Sequence, residues 1–183
     1  MSLSLDSRIT RLMCMKGKHP MEEITLYING EEHACRVERN QTLLSVLRDT
    51  LGMTGTKCGC NTSDCGACKV IIDGEAVNSC VVMARNCVGK AIETIEGLSC
   101  GTELHPIQQA FVDCGAVQCG FCTPGMIMSA KALLDKNPAP TETEVRQAID
   151  NNLCRCTGYV KIVEAILLAA ERMRSVKKTV IHG

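Results

Sequence analysis

The period of the apolar and polar positions changes near residue 98 and divides the chain into two parts. Before that point lie short apolar runs, most of them alternating with polar residues, which is typical of half-buried β-strands. The runs occupy residues 24–28, 33–37, 70–72, 75–80 and 91–95. Asn29-Gly30 and Asp73-Gly74 follow two of these runs and predict tight β-hairpins. With Thr42 as the N-cap of a helix, this part is predicted to be a small mixed sheet with one helix.

After residue 98 the apolar positions recur at helical spacing. Four segments show this spacing, at residues 104–114, 124–136, 142–152 and 160–174. His105-Pro106 is a typical helix start, and Thr141 with Glu144 forms a capping-box pattern. The sequence therefore predicts an α+β protein with a sheet domain followed by an all-α, four-helix domain. The expected divisions are an N-terminal extension at residues 1–22, domains at 23–97 and 98–176, and a tail at 177–183.

Composition and charge exclude several classes of function. The 20 basic residues balance the 20 acidic ones, which argues against a general binder of nucleic acid or anionic membranes. Aromatic residues make up only 2% of the chain, so a base-stacking surface is not expected. The N-terminal residues lack an apolar stretch of signal-peptide length, and no run approaches transmembrane length. We expect a cytoplasmic protein without membrane insertion.

The 14 cysteines are the most informative feature of the composition, because disulfides are rare in the cytosol and metal sites are the usual alternative. Cys60, Cys65 and Cys68 follow the x4/x2 spacing of plant-type 2Fe–2S loops, and Cys80 supplies the fourth thiolate. The neighbouring Gly59 and Gly66 would let backbone N–H groups approach the cluster through positive φ or close packing. A structural zinc site fits this spacing poorly.

A second group of four cysteines lies in the helical part. It consists of Cys119-x2-Cys122 and Cys154-x-Cys156, separated by about two helices and a loop. Each pair is expected at the start of a helix, so that antiparallel packing would bring the pairs together. By spacing alone, a zinc site remains an open alternative for this group.

The residues around these cysteines resemble the small iron–sulfur subunit of the xanthine dehydrogenase (molybdenum hydroxylase) family. The matching motifs are GTKCGC at 55–60, DCGAC at 64–68, QCGFCTPGM at 118–126 and NLCRCTGY at 152–159. The resemblance implies a β-grasp, plant-type ferredoxin-like domain followed by a helical 2Fe–2S domain. It also implies one cluster on the first four cysteines and another on the second four.

The resemblance implies a role in electron transfer without substrate chemistry in this chain. Family members join a large molybdenum-cofactor subunit and an FAD subunit, and the iron–sulfur subunit passes single electrons between them. Gln118 resembles the residue that hydrogen-bonds the molybdopterin. The alternatives are a free-standing two-cluster ferredoxin-like carrier and a zinc-stabilised interaction module.

Some residues depart from the family pattern or lie outside it. Ser63 stands where Gly is common, and Cys58 breaks the x4/x2 register, so Cys58 is expected not to be a ligand. Phe121 and Tyr159 flank ligands and are expected to shield the second cluster from water. The six remaining cysteines are expected to be ordinary buried thiols. They are Cys14, Cys35, Cys58, Cys87, Cys100 and Cys114.

Overall fold

A computed structural model of the protein describes residues 20–181, with side chains through Ser175. Its first half contains the strands β1 (Met21–Ile28), β2 (Glu31–Glu38), β3 (Lys69–Ile72), β4 (Glu75–Asn78) and β5 (Ala91–Glu93). They form a mixed five-stranded sheet in the order β2-β1-β5-β3-β4. The β1–β5 pair is parallel and the other neighbouring strands are antiparallel. The α+β prediction is confirmed.

Two tight hairpins build this sheet, as the sequence predicts. Asn29 and Gly30 have φ values of 53° and 88°, and Asp73 and Gly74 have values of 50° and 83°. Both central residues of each turn are therefore left-handed, which is the requirement of a type I′ turn. The first hairpin is longer than the alternating pattern suggests, because its ladder extends to the pair Met21–Glu38.

The helical segment of the first half is short. It begins as α1 (Leu43–Ser45) and continues as a π-helical turn at Val46–Thr50. The side chain of Thr42 accepts a hydrogen bond from the backbone N–H of Ser45, so the predicted N-cap is confirmed. Leu43 and Leu47 are fully buried in the same apolar cluster as β1 and β3.

The helices described in the second half are α2 (Pro106–Asp113), α3 (Thr123–Lys136), α4 (Glu142–Ala148) and α5 (Val160–Ile181). Two of them begin at the predicted capping signals, since His105 and Thr141 form capping boxes at the starts of α2 and α4. The final helix continues to Ile181, so part of the expected tail is helical. α4 ends four residues earlier than expected, because Asn152 and Leu153 hydrogen-bond to the first half of the chain instead.

The two halves pack directly on each other. Ile71 of β3 shares a small buried cluster with Met128 and Ala132 of α3. At the edge of this contact, Lys131 lies 3.2 Å from Glu93 of β5. Within the described part of the chain, no helix has the length and apolar character needed to span a membrane.

The expectation that the remaining cysteines are buried thiols is correct only in part. Cys35 and Cys87 are buried, whereas Cys58 and Cys100 are exposed. Cys114 is half-buried. Cys100 is exposed because it lies in a surface turn closed by backbone hydrogen bonds to Glu103. Cys14 lies outside the described residues.

Candidate metal centres

The first group of four thiols lies in the loop before β3 and at the open end of the β3–β4 hairpin. Cys60 and Cys65 lie in the loop before β3, and Cys68 immediately precedes that strand. Cys80 lies in a 3-10 helix at Ser79–Val81 that follows β4. The hairpin pairs Lys69 with Asn78, so that Cys68 and Cys80 flank the open end of the ladder. Ser79 then donates to the carbonyl oxygen of Cys68 from its backbone N–H (3.2 Å) and its hydroxyl (2.7 Å).

These four thiols form two pairs in different environments. Cys68 and Cys80 are buried in contact with Leu44, and burial raises the pKa of the Cys68 thiol to about 11. Cys60 instead receives hydrogen bonds from the backbone N–H groups of Thr62 (3.3 Å) and Cys65 (3.4 Å). Hydrogen bonding from the side chain of Thr62, and then from these amides, lowers the pKa of Cys60 to about 6. Such donors favour the thiolate form that a metal binds.

The two glycines predicted to help this site differ in backbone conformation and in packing. Gly66 has a φ of 67°, as the prediction allowed. Gly59 does not use positive φ, and its role is to leave space, because a Cβ there would lie 2.6 Å from the Cys65 Sγ. The absence of a side chain at Gly59 therefore matters for close packing and not for backbone conformation.

Asn78 connects the loop to the hairpin within this site. Its side-chain amide donates to the carbonyl oxygen of Ser63 (2.8 Å) and to the Ser63 hydroxyl (3.0 Å). Ser63 has a φ of 72°, a left-handed conformation that is costly for a residue with a side chain. The Asn78 hydrogen bonds thus fix a strained turn between Cys60 and Cys65.

The second group of thiols is brought together by the ends of three helices. Cys122 is the N-cap of α3, with Cys119 just before it, while Cys154 and Cys156 lie in the loop between α4 and α5. The Sγ atoms of Cys119 and Cys156 are 3.6 Å apart. Cys122 and Cys154 lie close enough that the Cys154 side chain contributes to the raised pKa of Cys122. The second group therefore also consists of two pairs.

The inner and outer pairs of this second group differ in burial. Cys119 and Cys156 are exposed, whereas Cys154 is buried and Cys122 is half-buried. Burial raises the pKa of Cys122 to about 12. Burial would also raise the pKa of Cys154, but hydrogen bonds from the Thr157 hydroxyl and backbone N–H outweigh it and lower that pKa.

The chemistry of both donor sets fits a 2Fe–2S cluster. Such a cluster is held by four thiolates, two on each iron, whereas a structural zinc ion gathers four ligands into one tetrahedron. Each site here presents two thiol pairs at different depths, with backbone N–H donors aimed at Cys60 and Cys154. The arrangement can therefore hold an anionic cluster with amide groups directed at its sulfur ligands.

The sequence matches known iron–sulfur proteins over most of its length. Residues 26–105 match a family described as a 2Fe-2S iron-sulfur cluster binding domain, and residues 94–167 match one described as a 2Fe-2S binding domain. The chain is 48% identical to the nicotinate dehydrogenase small FeS subunit of Eubacterium barkeri, over 81% of this chain and 95% of that protein. It is 44% identical to the xanthine dehydrogenase iron-sulfur-binding subunit of Escherichia coli O157:H7, over 76% and 89%. The chain belongs to the xanthine dehydrogenase family of iron–sulfur subunits.

The fold agrees with that membership. The quinoline 2-oxidoreductase structure from Pseudomonas putida 86 superposes with a TM-score of 0.81 at 44% identity. The match covers 85% of this chain and 97% of the chain in that structure. This member of the xanthine dehydrogenase family is accordingly the electron-transfer subunit of an oxidoreductase, with two domains that bind 2Fe–2S clusters. The resemblance inferred from the motifs is confirmed.

The structure shows where the three residues predicted beside the second group of thiols lie. Gln118 is exposed next to the exposed Cys119. Phe121 is 48% exposed, and its shielding of the second cluster stays a prediction. Tyr159 has a φ of 70°, and its hydroxyl oxygen accepts a hydrogen bond from the backbone N–H of Cys154 (2.9 Å). Tyr159 therefore anchors the loop backbone, a role that the shielding prediction did not include.

The two groups of thiols are linked by a hydrogen bond between their loops. The backbone N–H of Leu153 donates to the carbonyl oxygen of Cys65 at 2.9 Å. Cys65 belongs to the first group of thiols, and Leu153 directly precedes Cys154 of the second group. This bond therefore joins the two sites. The sequence does not predict this bond, because spacing along the chain carries no signal for a backbone contact between distant loops.

Proposed function

We propose that this chain passes single electrons between a molybdenum-cofactor subunit and an FAD subunit of a cytoplasmic oxidoreductase complex. Cys60, Cys65, Cys68 and Cys80 would hold one 2Fe–2S cluster. Cys119, Cys122, Cys154 and Cys156 would hold the other. The observation that carries the proposal is the hydrogen bond from Leu153 to Cys65, because it joins the two candidate cluster loops directly.

When bound, each cluster would take up and release one electron at a time. The chain contributes the position of the thiolates and the polarity around them. The amides of Thr62 and Cys65 donate to the Cys60 sulfur, and that of Thr157 donates to the Cys154 sulfur. These donors stabilise negative charge, and hydrogen bonding of this kind tunes the potential of a cluster.

The exposed edge of the second site supports contact with the molybdenum-cofactor subunit. Cys119 and Cys156 are exposed there, beside the exposed apolar side chains of Phe121 and Leu153. Gln118 lies at the same edge, and its side-chain amide can both donate to and accept from a pterin. Gln118 is therefore the proposed molybdopterin contact of this chain.

The proposed boundary between the two domains places one candidate cluster site in each domain. Residues 23–97 would form a β-grasp, plant-type ferredoxin-like domain, and the sheet order β2-β1-β5-β3-β4 supports this assignment. Residues 98–176 would form the four-helix domain, supported by the four helices α2 to α5 described there. Residues 1–22 and 177–183 are the proposed extension and tail.

The central test is to purify the protein anaerobically and to measure iron, acid-labile sulfide and EPR spectra. We expect equal amounts of iron and sulfide and two distinct 2Fe–2S signals after reduction. Cys119→Ser should remove one signal, and Cys65→Ser should remove the other. A control substitution, Cys35→Ser, lies in the sheet core away from both groups and should leave both signals unchanged. Bound zinc without labile sulfide would contradict the proposal.

Partner subunits are tested by recovering the tagged chain from its native host. We expect a large molybdenum-containing subunit and a flavin-containing subunit to be recovered with it. Gln118→Ala should lower turnover of that complex while both EPR signals keep their intensity. Recovery of the chain alone with both clusters would instead support a free-standing electron carrier.

A further inference from the structure

A buried polar contact lies between the two candidate cluster sites. The hydroxyl of Ser129 in α3 donates to the side-chain oxygen of Asn152 at 2.8 Å. The side-chain nitrogen of Asn152 donates to the carbonyl oxygen of Gly66 at 3.1 Å. Asn152 is 2% exposed and Ser129 is 3% exposed, so neither group has water as an alternative partner. We call these three residues the Asn152 bridge.

The backbone around the Asn152 bridge is closely packed. A Cβ at Gly66 would lie 2.2 Å from the carbonyl oxygen of Asn151, and one at Gly125 would lie 2.3 Å from the carbonyl oxygen of Gly66. The loop of the first site therefore packs directly against two other backbone segments, which are the first turn of α3 and the loop that precedes Cys154.

Each of these segments also carries thiols of one site. Gly66 follows Cys65, Gly125 lies three residues after Cys122, and Asn152 lies two residues before Cys154. A displacement between the segments would consequently change the separation of the two groups of thiols. The Asn152 bridge and the Leu153–Cys65 hydrogen bond are adjacent attachments at this junction.

We propose that Asn152 is a positioning residue that fixes the separation between the two cluster sites. The inference rests on the proposed function, since it concerns the spacing of two clusters. An asparagine amide offers a donor and an acceptor in one planar group, which matches the carbonyl of Gly66 on one side and the hydroxyl of Ser129 on the other. Asp would lack the donor, and an apolar residue would leave the Gly66 carbonyl with only the hydrogen bond from the Lys69 N–H and would remove the acceptor of the buried Ser129 hydroxyl. With this side chain removed, the Leu153–Cys65 bond would be the one hydrogen bond that the described residues place between the two loops, and the loops could rotate about it.

The experiment uses the full chain with both clusters present and chemically reduced with dithionite. The dipolar splitting between the two paramagnetic centres is measured by EPR, because it falls steeply as their separation increases. We expect Asn152→Ala and Asn152→Asp to lose or change this splitting while the spin count of each cluster stays the same. The matched control is Asn151→Ala, which truncates an exposed amide one residue away and should retain the wild-type splitting.

A second measurement does not depend on the clusters. Amide hydrogen exchange of Leu153 is compared between the full-length wild-type and variant chains after iron removal. Loss of the neighbouring Asn152 hydrogen bond should speed this exchange by about tenfold, the upper end of what one hydrogen bond contributes. The control Asn151→Ala should exchange at the wild-type rate.

The outcomes separate the inference from the proposed function. Unchanged splitting in Asn152→Ala, with both clusters present, would overturn the positioning role. If Asn152→Ala loses a cluster, the milder Ser129→Ala decides by the same comparison of splitting. Loss of a cluster from Ser129→Ala as well would assign the contact to cluster retention and would also overturn it. A wild-type chain without two clusters would contradict the proposed function, and Leu153 exchange would still show whether Asn152 holds the loops together.

Discussion

The side-chain amide of Asn78 donates hydrogen bonds to both the carbonyl oxygen and the hydroxyl of Ser63, 15 residues earlier in the chain. Ser63 belongs to the loop that carries Cys60 and Cys65. Asn78 ends the strand that leads to Cys80. The contact therefore joins the two thiol pairs of the first site, and it holds Ser63 at a positive φ of 72°.

Removal of the Asn78 amide should weaken the first site selectively. Asn78→Ala deletes two hydrogen bonds, each contributing about 1 kcal/mol, and releases a strained turn. We expect a lower EPR intensity from the plant-type cluster and less iron per chain, with the second cluster signal as an internal reference. Ser63→Gly serves as the control, because it keeps the carbonyl acceptor and relieves the strain at positive φ. Equal intensity of both signals in Asn78→Ala would show that the loop holds its shape without this contact.

Replacing Gly125 or Gly89 by alanine should lower the stability of the protein, for a different physical reason at each position. At Gly125 the added Cβ would meet the Gly66 carbonyl oxygen at 2.3 Å, so overpacking should cost about 1–3 kcal/mol even though alanine is the better helix former. At Gly89 no atom lies within 4 Å, but φ is 76°, which costs about 1–2 kcal/mol with a side chain. Thermal unfolding of the cluster-loaded protein measures both losses. Gly125→Ala should also alter the dipolar splitting between the clusters, and Gly89→Ala should not.

His105 should make the start of α2 sensitive to pH. Its Nδ1 accepts a hydrogen bond from the backbone N–H of Ile107, an interaction that requires the neutral imidazole. Burial lowers the pKa of His105 below 6.5, the nearby Lys131 lowers it further, and Asp135 opposes this. The unfolded chain therefore takes up the proton first, so this contribution to stability is full above pH 6.5 and declines as the pH falls toward the lowered pKa.

The measurement is the melting temperature of the cluster-loaded protein between pH 7.5 and about 5.5, around the ordinary histidine pKa. His105→Asn keeps a side-chain acceptor at the N-cap that does not titrate, so it should lose less stability than the wild type as the pH falls. His33→Asn is the matched control and should follow the wild-type profile. Parallel profiles for wild type and His105→Asn would refute the assignment.

Much of the fold could be predicted from the sequence because its signals are local. The hairpins at Asn29-Gly30 and Asp73-Gly74 and the capping box at Thr141 each depend on residues within a single turn. The two groups of cysteines were also recognisable, since their spacing and flanking residues are fixed by the loops that carry them. The end of α4 was not, because the hydrogen bonds of Asn152 and Leu153 to the first half of the chain determine where its last turn stops.

The amino-acid sequence is sufficient to predict the α+β class, the turn and cap chemistry, and the membership of an iron–sulfur family. The tertiary structure is needed to know which thiols pair, which pair is exposed, and how the two sites are joined. Asn152 illustrates the difference, because its partner Gly66 lies 86 residues away and has no side chain through which a pattern could mark it. Gly59 shows the same limit, since its need for glycine comes from the Cys65 sulfur beside it rather than from its own φ. Such contacts form only when distant segments pack, and their hydrogen bonds and excluded volumes leave no periodic signal along the chain.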